Sequence, residues 1–151
     1  MKALKIYITL ISILIVAILG SIFVNIGMPY YMSLTTPTEW IPSILIPIVW
    51  SVIYITFAII LSIMIDKDNL DIFTYILLIL NGVFNVIWCL VFFTLQSTFV
   101  GIIIILLNLI LAVILILKIY HINPIYSYIL SIYPIWISIA TTLNLALWIL
   151  N

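Results

Sequence analysis

Apolar runs of about twenty residues alternate with short polar breaks along the whole chain. The runs cover about 6–26, 43–65, 72–95, 99–120 and 125–150. Each is long enough to cross a bilayer as a helix, which takes about 20 residues. The breaks are short: Asp66-Lys67-Asp68-Asn69-Leu70-Asp71, then Gln96-Ser97-Thr98, then His121-Ile122-Asn123-Pro124. Only 27–42 is longer, and Pro29, Pro37 and Pro42 oppose a continuous helix there. The pattern predicts an all-α membrane protein, a five-transmembrane-helix bundle forming one integral membrane domain over 1–151. The 27–42 connection is either a lid or an aromatic anchor in the headgroup zone, since it carries Tyr30, Tyr31 and Trp40.

Helical periodicity sorts the polar and aromatic positions onto faces. Trp50, Tyr54, Phe57 and Leu61 form one stripe of the second span. Asn81, Asn85, Trp88 and Phe92 lie within about 60° on the third. Trp136, Ala140, Asn144 and Asn151 lie within about 80° on the fifth. Trp148 is turned about 120° from Trp136, near the helix end, and reads as an interfacial anchor or dimer contact.

Composition settles the class. The chain is 68% hydrophobic and 5% charged, too little polar surface to cover a soluble domain of 151 residues. Zero net charge removes the electrostatic case for nucleic acid. The single cysteine, Cys89, excludes an internal disulfide and a cysteine metal cluster, and reads as a small packed hydrophobe. A basic start before an apolar run also fits a signal peptide. The run exceeds the usual h-region and no small-x-small site comes after it, so a retained first helix is expected. Lys2, Lys5, Lys67 and Lys118 all fall on one side of a five-span bundle, which predicts a cytoplasmic N-terminus.

Little is left for chemistry. His121 is the only histidine and sits in a turn, so no Ser-His-Asp set can be assembled, and an interfacial residue is expected there rather than a ligand. The acids of the 66–71 turn lack the calcium-loop pattern, and a solvated turn is expected. No charged residue lies mid-span, which disfavours ion coupling. The remaining candidates are aromatic and amide: Trp50, Tyr54, Asn85, Trp88, Trp136 and Asn144 can face a common centre. That is the pattern of a site for a flat lipophile, and equally of asparagines bonding helix to helix while rings fill space.

At these residues the sequence resembles the TspO/MBR family, the tryptophan-rich sensory proteins and translocator proteins. Trp136-Ile-Ser-Ile-Ala-Thr-Thr-Leu-Asn144 is similar to the family's W-x-x-F-A-T-x-L-N, and Trp148 and Asn151 stand at the family's spacing after it. Asn85-x-x-Trp88-x-x-x-Phe92-Phe93 is similar to N-x-x-W-x-x-x-F-F. Tyr31-x-x-Leu34-x-x-Pro37, Pro42 and Trp50-x-x-x-Tyr54 are similar to its first-loop and second-helix motifs.

The resemblance implies a multi-pass, often homodimeric bundle in the lipid bilayer, with a cavity beneath the first loop. It implies a receptor or sensor for porphyrins and similar flat lipophiles, involved in their transport or regulation. Its implied ligand-binding positions are Trp50, Tyr54, Asn85, Trp88, Trp136, Ala140 and Asn144, with Tyr31, Pro37 and Trp40 in the lid. It implies no required cofactor, protoporphyrin IX or a related tetrapyrrole as ligand, and for some members light-dependent porphyrin degradation. A passive lipophile carrier or a structural membrane partner is the remaining reading. The family's loop lysine is Thr36 here, and its cholesterol-recognition pattern after the last helix is missing, so cholesterol is not expected.

Overall fold

A computed structural model describes residues 1–37, 41–42, 44–67 and 69–151. Its helices are α1 (Lys2–Ser33), α2 (Leu45–Asp66), α3 (Ile72–Cys89), α4 (Thr98–Ile122), α5 (Pro124–Leu130) and α6 (Ile132–Leu150). A π-helical turn, Leu90–Thr94, continues α3, and no strand occurs among the described residues. Five segments are long and apolar enough to span a membrane, the fifth being α5 and α6 together, Pro124–Leu150. The protein is an all-α, multi-pass integral membrane protein.

Local chemistry explains most boundaries. The Asp71 carboxylate caps α3, accepting from the Thr74 N–H at 2.8 Å and the Thr74 hydroxyl at 2.6 Å. Its other oxygen lies 2.7 Å from Lys118 Nζ, so the turn expected to be merely solvated ties α3 to α4. Asn123 caps α5 by accepting from the Ile125 and Tyr126 N–H groups, with Pro124 in the first helical turn. The fifth span is broken at Ser131. Pro134 lies three residues on and has no N–H for the Leu130 carbonyl, so the ladder cannot run straight through.

Two expectations change. The connection placed at 27–42 begins only at Leu34, because α1 runs on through Gly27 and Pro29 to Ser33. Thirty-two residues make about 48 Å of helix, well beyond a hydrocarbon core of about 30 Å. The added turns lie against the π segment, and Pro29 removes a single backbone bond from them. The third span is not uniform either. At its end the Leu95 N–H bonds to the Leu90 carbonyl at 2.8 Å, five residues back, and the register shift buries the adjacent Phe92 and Phe93 together.

The core is built around α4, which packs between α3 and α6. Leu115 and Ile119 of α4, Met64 of α2 and Ile137 of α6 are among its most buried apolar side chains. α1 closes the bundle against α2, α3 and the π turn. Its only buried residues are Gly20 and Gly27, so it approaches the bundle through small residues.

Candidate functional site

Space remains between α1 and the helices it packs on. That space forms two cavities. The outer one, about 520 Å³, lies toward the end bearing the α1–α2 connection. The inner one, about 420 Å³, lies toward the end bearing the lysines. Tyr54 lines both.

The outer cavity has aromatic walls. Trp50 stacks on Tyr54 with ring centroids 5.6 Å apart and planes 25° apart. Opposite, Trp88 stacks on Phe92 at 5.6 Å and 18°. Tyr31, on the last turns of α1, sets its ring 5.7 Å from Phe93. Trp136, Ala140 and Asn144 of α6 complete the wall. The Trp136 indole is buried, and its Nε1 has no hydrogen-bond partner. A buried donor without a partner costs free energy.

The structure thus brings Trp50, Tyr54, Trp88, Trp136, Ala140, Asn144 and Tyr31 to one cavity. Asn85 is not on it. Its amide faces the inner cavity and donates to Tyr54 Oη at 3.1 Å, bracing the ring between the two spaces. Asn144 lines the cavity but is engaged elsewhere: its Oδ1 accepts from Trp88 Nε1 and its Nδ2 donates to the Thr98 carbonyl, both at 3.0 Å. Pro37 is half-buried beyond the end of α1 and does not line the cavity. Trp40 lies outside the described residues.

Sequence reasoning placed the wall on the second, third and fifth spans and missed α1. Gly20, Ser21, Asn25 and Tyr31 of α1 all face the outer cavity. The polar residues within the apolar run of α1, Thr9, Ser12, Ser21 and Asn25, are scattered singly among apolar ones, so no stripe stood out. Asn151 secures the mouth. It accepts from the Thr35 N–H at 2.9 Å and donates to the Thr35 carbonyl at 3.2 Å, fixing the chain just after α1 to the end of α6. Trp148 packs its ring 5.6 Å from Phe99 and is 45% exposed.

The sequence model of the TspO/MBR family matches residues 8–149. No curated protein sequence matches the chain significantly. The family match runs through all five spans and every residue of the aromatic cavity. With 142 consecutive positions matched (8 to 149 inclusive) out of 151, this chain belongs to the TspO/MBR family.

Proposed function

We propose that the protein is a membrane sensor or carrier that binds a tetrapyrrole, or a lipophile of similar flat shape, in the outer cavity. The observation that carries this reading is a cavity walled by two stacked aromatic pairs and by Trp136, whose buried Nε1 has no hydrogen-bond partner. Its volume of about 520 Å³ falls within the range of small-molecule sites, about 300–1,000 Å³. The rings offer stacking area, and the indole N–H offers one directional bond to a ring nitrogen or carbonyl. Family membership supports a membrane sensor- or transporter-type role. With no charged residue lining the outer cavity among the described residues, binding there runs without ion coupling. The lysine-bearing end is proposed to face the cytoplasm, which sets the cavity mouth on the far side.

The test is titration of detergent-purified protein with protoporphyrin IX, monitored by quenching of tryptophan fluorescence. Trp136→Phe keeps a ring and removes the donor, and affinity falls about 2- to 10-fold, the worth of one hydrogen bond. Undiminished affinity in that variant would remove the site from the outer cavity.

A further inference from the structure

The inner cavity is separate chemistry. It is walled by the first half of α1, the stretch of α2 from Ile53 to Leu61, the stretch of α3 from Tyr75 to Asn85 and Tyr133 of α6, with Tyr54 between it and the outer space. About half of its lining residues are aliphatic, Ile8, Ile13, Val16, Leu61 and Leu78 among them. Polar side chains interrupt that lining, Thr9, Ser12, Tyr75 and Asn85 among them, and two further ones bear most on a ligand. One is Asn81, 4% exposed, whose Nδ2 donates to the Leu77 carbonyl of its own helix at 2.8 Å. Its Oδ1 has no hydrogen-bond partner. The other is Lys5, the one cation on the lining, with no acidic residue beside it there among the described residues.

These two groups lie at different depths. A Cβ placed on Gly82 would come 3.1 Å from Val16 Cγ2, so the Asn81–Gly82 level of α3 faces Val16 of α1. Lys5 precedes Val16 by eleven residues, about 16 Å along the helix. Lys5 is therefore at the membrane-surface end of the cavity and Asn81 is deep within it. A positive charge at the mouth, an apolar shaft and a buried acceptor describe a complement to an amphiphile. That amphiphile has an anionic head, an apolar chain and a hydrogen-bond donor part-way along the chain.

We propose that the inner cavity is a second ligand site, which takes a single-chain hydroxylated lipid acid. The carboxylate meets Lys5, and the chain hydroxyl donates to Asn81 Oδ1. This site stands independently of the tetrapyrrole reading, because none of its distinguishing residues lines the outer cavity. A plain fatty acid enters the same shaft but leaves the Asn81 acceptor unpaired, so the site discriminates between the two.

The experiment is equilibrium binding of radiolabelled 12-hydroxystearate and of stearate to the full-length protein in detergent. The native protein binds the hydroxy acid about 2- to 10-fold more tightly, the range for one hydrogen bond. Asn81→Ala abolishes that preference while leaving stearate binding unchanged. Lys5→Gln weakens both acids by a similar factor. Circular dichroism and thermal unfolding verify that each variant is folded. If Asn81→Ala does not fold, the comparison of the two acids on native protein decides alone. Equal affinity for both acids there, or a preference that survives in Asn81→Ala, overturns the proposal, and so does undiminished binding in Lys5→Gln. Protoporphyrin titration of Asn81→Ala gives native affinity, which distinguishes loss of this site from loss of the outer one.

Discussion

The Trp88 indole donates to the Asn144 amide oxygen at 3.0 Å, and this one bond joins the third span to the fifth. The same amide donates from its nitrogen to the Thr98 carbonyl, at the start of α4. Asn144 thus closes a three-helix clamp behind the outer cavity, and both of its polar atoms are in use.

The clamp makes a stability prediction. Asn144→Ala leaves the Trp88 N–H without its partner and destabilises the bundle by about 1–2 kcal/mol. A double-mutant cycle with Trp88→Phe isolates the bond itself. Its coupling energy is about 0.6 kcal/mol and does not exceed about 1.7, the range for hydrogen bonds between membrane helices. Thermal unfolding in detergent measures both. Additive effects in the cycle would show that the contact carries no energy.

Gly20 and Gly27 lie on the same side of α1 and predict opposite outcomes. A Cβ at Gly27 would overlap the backbone carbonyl of Phe93, which cannot move without breaking the π turn. Gly27→Ala therefore lifts α1 from the bundle, at a cost of about 1–3 kcal/mol for overpacking. A Cβ at Gly20 would meet Cys89 Sγ at 3.6 Å and Tyr54 Oη at 4.0 Å, ordinary contact distances. Gly20→Ala leaves the melting temperature within a degree or two (a shift of about 0.5 kcal/mol or less) and only narrows the cavity. Paired melting curves check the contrast.

These two glycines also show where the sequence stops being informative. The spans were legible because length and apolarity alone decide whether a segment crosses a bilayer. The aromatic wall of α2 and α6 was legible because Trp50, Tyr54 and Trp136 recur at helical spacing. Gly27 falls in the expected connection because Pro29, Pro37 and Pro42 oppose a continuous helix, and only the neighbouring Phe93 backbone shows why α1 carries glycine there. The π turn was equally hidden, because nothing in Leu90–Thr94 departs from the apolar pattern of the helix before it. The asparagines were recognised as polar groups needing partners, but partners are set by the fold. Asn144 turned out to bond to the protein, Asn85 to brace Tyr54, and Asn81 to keep an open acceptor.

At the lysine end, Asp71 predicts a pH response. Its hydrogen bond to Lys118, then those from Thr74, hold the carboxyl well below the usual carboxylate range. A carboxylate whose folded pKa is depressed stabilises the fold above its unfolded pKa, about 3.9, and loses that contribution as pH falls toward the folded value. Asp71→Asn keeps a capping residue and removes the charge. The variant melts below the native protein at pH 7, and the gap narrows as pH drops below about 4. High salt narrows it too, because the pair is partly exposed. A gap independent of both pH and salt would mean that the charge pair contributes nothing.

The distribution of charge predicts how the outer cavity treats a tetrapyrrole's carboxylates. Among the described residues its lining contains no lysine, arginine or histidine. Lys2 donates to the Asp66 carbonyl, Lys67 bonds to Tyr126 and Lys118 pairs with Asp71, all at the opposite end of the bundle. A carboxylate buried in such a cavity would forgo hydration with no cation to replace it, so the acid groups must stay in water at the mouth. Binding energy then comes from ring stacking and from Trp136, neither of which distinguishes an acid from its ester. Protoporphyrin IX dimethyl ester should therefore bind at least as tightly as the free acid. A site that used a charge-assisted bond would instead lose about 1.5–3 kcal/mol with the ester, roughly a 10- to 150-fold weakening. Side-by-side quenching titrations of acid and ester at constant detergent concentration make the comparison. A loss of that size would place a cation beside the ligand and contradict the uncharged aromatic lining of the cavity.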